Sequence, residues 1–116
     1  MQTKIYKSFR TFFNDYDVLI CPAASVSPFP HDQLFIDEIN GEKMPTYMRW
    51  LALSYASTMA IPCAWALPCG LDHKNMPFGI QLIAPAGRDA QLSEIAKSLE
   101  AILMSNEETK RPIPKL

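Results

Sequence analysis

Apolar residues near the start of the chain recur at the spacing of one helical face. Ile5, Phe9, Phe12 and Phe13 follow the i, i+4, i+7, i+8 pattern, while Lys4, Lys7 and Arg10 fall mostly elsewhere, so residues 2–13 are predicted helical. Asn14-Asp15-Tyr16-Asp17 breaks the pattern, and the period then changes. Residues 18–21 (VLIC) are a continuous apolar run stopped by Pro22, as in a strand buried on both faces. Residues 22–32 hold three prolines and no helical period, which predicts an extended loop leaving a strand end, where binding residues are often carried. Asn40-Gly41 signals a small hairpin within residues 34–44.

Residues 46–60 predict a second helix with Thr46 as N-cap after Pro45, ending at Ile61-Pro62. Met48, Leu51, Tyr55 and Met59 share one face. The other carries Trp50, Leu53 and few charges, so this helix is expected to be buried nearly all round. Residues 63–68 and 78–84 read as two more strands, with Phe78, Ile80, Leu82 and Ala84 on one face of the second. Gln81 is the one polar residue in that run and needs a hydrogen-bond partner. Pro68 and Gly70 are expected to close the earlier strand, with Gly70 at positive φ, and Pro77 to open the later one. Asp89 is placed as N-cap of a last helix with an apolar stripe of Leu92, Ile95, Ala96, Leu99, Ile102 and Leu103. The order of elements predicts an α/β piece, short buried strands flanked by three helices. A sheet this small does not need strands covered on both faces, so a larger mixed sheet is expected beside them. Residues 1–104 form one unit and residues 105–116 a loose polar tail.

Composition narrows the function classes. The 116 residues are 48% hydrophobic and 20% charged with a formal net charge of −1, as in an ordinary globular domain. No basic surplus points to nucleic acid or anionic lipid, no apolar stretch is long enough to span a bilayer, and the start lacks the apolar core of a signal peptide. A cytosolic, cytoplasmic protein is expected. Cys21, Cys63 and Cys69 lie in or beside apolar runs and read as buried free thiols. Cys63, Cys69 and His73 lack the close cysteine pair and the fourth ligand of a structural zinc site, so packing is favoured over metal. Cys21 with His31, or Cys69 with His73, lacks the surroundings of a cysteine nucleophile. Asp37, Glu38, Glu42 and Lys43 read as solvated charge about the hairpin. Neither a G-x-S-x-G elbow, a P-loop nor an H-E-x-x-H motif is present, and Ser54 and Ser57 have no adjacent lysine or histidine.

Two stretches carry a family resemblance. Residues 16–24, YDVLICPAA, resemble the "YDvLltPt" segment of the amidase signature family. Residues 55–100 resemble that family's closing stretch, through Pro62, Pro68, Gly70, Pro77, Gly79, Gln81, Leu82, Ile83, Asp89, Ala90 and Leu92. The chain departs from the family at Ala60-Ile61, where glycine is common before the first proline, and at Pro62-Cys63, where Pro-Ala is usual. The resemblance implies the C-terminal portion of an amidase and a small-molecule amide substrate, with no cofactor. It also implies acyl transfer by a serine nucleophile, bridged to a lysine by a second serine in a cis peptide. Those residues belong to an upstream Gly- and Ser-rich segment that nothing here matches, so no catalytic residue is assigned to this chain. The chain alone is expected to be inactive, and to self-associate or pack on the missing N-terminal portion.

The apolar and aromatic residues beside the first strand end suggest part of a substrate-pocket wall, with Cys21, Pro22, Tyr47, Trp50 and Leu51 as substrate-binding candidates. The competing reading makes Tyr47, Trp50 and Leu51 ordinary core. The competing functional class is a non-catalytic scaffold or interaction module that has lost the amidase site.

Overall fold

Helix α1 (Gln2–Phe12) forms over the predicted span and ends one residue early. Its aromatic face continues past the helix: Phe9 meets Phe13, Phe13 meets Phe12, and Phe12 stacks on Tyr16 at 4.7 Å between ring centroids. The computed structural model describes residues 1–60 and 62–114. Ile61, where the second helix was expected to end, and residues 115 and 116 of the tail lie outside the described residues.

Strands β1 (Leu19–Pro22), β4 (Cys63–Leu71) and β5 (Pro77–Ala84) make one sheet in the order β1-β5-β4, both pairs antiparallel. Leu19 lies opposite Ile83, Cys21 opposite Gln81, and Trp65 opposite Leu82. β5 is central, and its last four residues, Gln81 to Ala84, are all buried, which is why that run shows no polar alternation. Burial on both faces does not extend to the outer strands. Ile20 of β1 is 49% exposed and Trp65 of β4 is 43% exposed, both on the outer strands of the sheet. All strand pairings among the described residues are antiparallel.

β4 does not close at Pro68. It continues to Leu71 through a register shift between Pro68 and Leu71, with Gly70 at φ +66° as expected. The Asp72–Met76 turn that follows is tied to Asp72: its Oδ1 accepts from the amides of Lys74 (2.8 Å) and Met76 (3.0 Å). The hairpin signal at Asn40-Gly41 gives β2 (Glu38–Ile39) and β3 (Glu42–Lys43), with both turn residues at positive φ, as a type I′ turn requires.

The helix predicted over residues 46–60 is much reduced. Residues 46–51 run as turns, α2 covers only Ala52–Tyr55, and Ala56–Ala60 is a 3₁₀ turn. Hydroxyl side chains compete here for backbone partners. Thr58 Oγ1 donates to the Tyr55 carbonyl at 2.6 Å, and Ser54 Oγ leaves the helix to donate to the Ala23 carbonyl at 3.2 Å. Burial nearly all round is not seen either, since Tyr47, Met48 and Leu53 are exposed.

Helix α3 (Asp89–Met104) covers one face of the sheet. Its Leu92 and Ala96 join Leu67, Leu82 and Ala84 in the core, with Leu99 and Leu103 packed at its margin. Each such leucine, fully buried, contributes about 1.5–3 kcal/mol. Ile102, counted in the stripe from spacing, faces solvent. Asp89 is the first helical residue rather than the cap, with Arg88 at the N-cap position, so its carboxylate acts through the helix dipole. The tail, read as loose, is held through Lys110. Asn106 Oδ1 accepts from the Glu108 amide, Thr109 Oγ1 donates to the Leu103 carbonyl, and the Glu108 carbonyl lies against Gly70.

Candidate substrate-pocket wall

The main chain leaves β1 at Pro22 and is still tied to the sheet one residue later, where the Ala23 amide donates to the Gly79 carbonyl at 2.9 Å. The proline-rich loop then passes over the β4–β5 hairpin. Ala23, Val26, Pro28 and Phe29 of the loop, with Trp50 and Phe78, enclose most of a slot of about 260 Å³. Three hydrogen bonds fasten α2 to this strand end. Gln81 Nε2 donates to the carbonyls of Pro22 (3.1 Å) and Leu53 (3.0 Å), and Ser54 Oγ donates to that of Ala23. The expectation that Gln81 is paired is met, and its partners lie on two separate elements.

Trp50 is held by ring edges. Phe29 packs against it at 5.6 Å and 81°, and Tyr47 at 6.2 Å and 89°, with Phe35 against the far side of Tyr47 at 6.0 Å. The indole Nε1 is buried and has no hydrogen-bond partner among the described residues. Asp72 is the one charged residue lining the slot. The Ser27 hydroxyl beside it, with the Met76 and Lys74 amides, holds its carboxyl below the usual aspartate value.

Of the residues singled out from sequence, Trp50 lines the slot and Tyr47 abuts Trp50. Cys21, Pro22 and Leu51 do not line it. Cys21 sits on β1 opposite Gln81, and Pro22 contributes its carbonyl to Gln81. Sequence reasoning missed Phe29, Phe78 and Asp72. Phe29 had a signal, being the aromatic within the Pro-rich loop already marked as a binding segment. Phe78 and Asp72 had none, because only the closure of the hairpin brings them beside residues 23–29. Elsewhere, Cys63 and Cys69 sit towards opposite ends of β4, and the Cys63 thiol donates to the Pro85 carbonyl at 3.2 Å. A wider groove of about 980 Å³ between the hairpin and the tail is lined by side chains of both charges.

An antiparallel three-stranded sheet with α3 on one face and a Gln81-fastened loop at its end is a portion of the amidase signature fold. The family model for Amidase matches residues 1–93, and the chain belongs to that family. It is 30% identical over 112 residues to a glutamyl-tRNA(Gln) amidotransferase subunit of Halothermothrix orenii, covering 97% of this chain and 22% of that protein. It is 29% identical over 98 residues to an acylamidase of Rhodococcus erythropolis, covering 84% and 20% respectively. The crystal structure of the corresponding glutamyl-tRNA(Gln) amidotransferase subunit from Thermotoga maritima superposes with a TM-score of 0.74 at 25% identity, over 98% of this chain and 24% of that one. The chain thus spans about a fifth of the length of the relatives it matches. Among the described residues, no helix is long and apolar enough to cross a membrane.

Proposed function

We propose that this chain is the C-terminal part of an amide-hydrolysing domain, supplying strands to its sheet and one wall of its substrate pocket. The observation that carries the reading is the slot at the end of β1, built from Trp50, Phe29 and Phe78 and fastened to the sheet by Gln81. In this scheme the serine that attacks the amide carbonyl lies outside the chain. The acyl group passes to that serine as the amine leaves, and water releases the acid. The half-exposed outer strands, with Ile20 on β1 and Trp65 on β4, pair with or pack on the remainder of a larger sheet. The chain by itself self-associates through these strands or docks on the missing portion. Net charge near zero argues against nucleic acid as partner, and three free thiols suit a reducing cytoplasm.

The test is a turnover assay on the purified 116-residue chain with aliphatic and aryl amides, following release of ammonia or amine. The expected result is no release above buffer. Robust turnover that co-purifies with the chain through successive columns overturns the assignment of the nucleophile to another segment.

A further inference from the structure

We infer that Asn40-Gly41, at the tip of the β2–β3 hairpin, is a site of spontaneous modification: the asparagine closes on the glycine nitrogen to a cyclic imide, which water reopens as aspartate or isoaspartate. The inference stands apart from the pocket-wall reading above. The step needs neither an enzyme nor an oxidant. The Gly41 nitrogen gives its proton to solvent base and attacks Asn40 Cγ. A Cγ–N bond forms and the Cγ–Nδ2 bond breaks. Nδ2 leaves as ammonia, taking back the proton that the glycine nitrogen gave up. Water then adds to one of the two ring carbonyls. Opening at Cγ gives aspartate. Opening at the Asn40 main-chain carbonyl gives isoaspartate, whose chain runs on through Cβ and Cγ.

The fold singles out this asparagine among the four in the chain. Attack needs a free main-chain nitrogen on the following residue, an asparagine side chain free to turn, and room for the ring. At the other three, one of these is already engaged. The Asp15 nitrogen after Asn14 donates to the Phe12 carbonyl at 3.2 Å, and the Met76 nitrogen after Asn75 donates to Asp72 Oδ1 at 3.0 Å. Asn106 Oδ1 accepts from the Glu108 amide at 2.9 Å, which holds that side chain. Gly41 has no Cβ, and nothing stands within 4 Å of where one would be. Its nitrogen lies outside the strand ladder and donates to no main-chain carbonyl among the described residues. Asn40 and Gly41 are both exposed. The turn, with φ of +51° and +81°, has to relax for the ring to close, and little resists it. The ladder has two residue pairs, Glu38 with Lys43 and Ile39 with Glu42, and a hairpin that small is marginal in water. Isoaspartate then adds a carbon to the main chain of a two-residue loop, so these pairs no longer close in register. Either product also sets a new carboxylate within two residues of Glu38 and Glu42, where like charges repel. The contacts next in line are the Met44 amide on the Asp37 carbonyl at 2.6 Å and the Arg49–Glu42 ion pair at 3.9 Å.

The experiment incubates the 116-residue chain in warm, mildly alkaline buffer and follows peptide masses, together with methyl transfer by an isoaspartyl methyltransferase. The expected result is a mass gain of a single dalton and a methyl label, both confined to the peptide that holds residues 40 and 41. The peptides holding Asn14, Asn75 and Asn106 are expected to keep their mass. Asn40→Gln keeps an amide but needs a larger ring, and is expected to lose the signal. In the converted chain, hydrogen exchange at the Met44 amide is expected to be faster than in fresh chain. Exchange at the Ala23 amide, bonded to Gly79 in the other sheet, is expected to be unchanged. The site is overturned by an Asn40 peptide that stays unconverted while urea-unfolded chain converts, by equal conversion at another asparagine, or by an undiminished signal in Asn40→Gln. Unaltered Met44 exchange in the converted chain overturns the effect on the hairpin. The masses are read on the unaltered chain, so a variant that fails to fold does not remove the test.

Discussion

Gln81→Leu removes the two donors that join β5 to both the end of β1 and α2 while keeping a side chain of similar size. The Pro22 and Leu53 carbonyls, at 3.1 and 3.0 Å from Nε2, then lose their partner. A hydrogen bond of this kind is worth about 0.5–1.5 kcal/mol net, and a stranded buried acceptor costs about 1–3 kcal/mol. Pro22 and Leu53 are both exposed residues, so water reaches their carbonyls in part and the lower half of that range applies to each. The sum over the two carbonyls is a loss of about 2–4 kcal/mol, a large share of the roughly 5–15 kcal/mol that holds a domain folded. With a urea m-value of about 2 kcal/mol/M, the middle of the usual range, the unfolding midpoint should fall by about 1–2 M without a change in slope. Gln81→Glu should cost more at neutral pH, because a carboxylate then faces two carbonyl oxygens. It should recover part of the loss in acid, where the protonated form regains one donor. Urea titrations followed by far-UV circular dichroism measure both. A Gln81→Leu midpoint within about 0.3 M of the parent would refute the claim that these bonds fasten the slot to the sheet.

Two further outcomes follow from local geometry. Gly70→Ala forces a Cβ onto a residue at φ +66° and into the Glu108 carbonyl, so a loss of about 1–3 kcal/mol is expected, together with faster trypsin cleavage after Lys110. An unchanged melting temperature and cleavage rate would show that the tail does not bear on the strand. Asp72 has its carboxyl lowered on folding, chiefly by the Ser27 hydroxyl and the Met76 amide, so its ionised form is favoured in the folded chain. Its contribution is complete above the unfolded value of about 3.9 and is lost as pH falls through the folded one. The stability gap between the parent and Asp72→Ala should therefore be full at about pH 5 and above and shrink in stronger acid. A gap independent of pH would remove the charge from the account.

Local order was legible where one residue pattern settles one structure. The 3.6-residue stripe of α1 and α3, the type I′ turn at Asn40-Gly41, the positive φ of Gly70 and the need of Gln81 for a partner all came from neighbours in sequence. Membership of the amidase family was legible too, because the Pro62, Gly70, Gly79, Gln81 and Leu92 pattern is itself a local one. The second helix was misread for a physical reason. The apolar spacing of residues 46–60 suits a helix, yet ring contacts from Phe29 and Phe35 and the bond from Ser54 to Ala23 hold the segment in turns. Those partners lie well away in sequence, and periodicity carries no information about them.

The site divides in the same way. Sequence alone determined that an aromatic segment and a proline-rich loop flank a strand end, and it named Trp50 and Tyr47. Which residues meet was decided only by pairing. The antiparallel register of β1 on β5 brings Gln81 beneath Pro22, and the closed β4–β5 hairpin brings Asp72 and Phe78 to Phe29. Trp50 Nε1 has no hydrogen-bond partner among the described residues. A hydrogen bond, or the lack of one, depends on distances set by strands far apart in the chain, and those exist only once the sheet has formed.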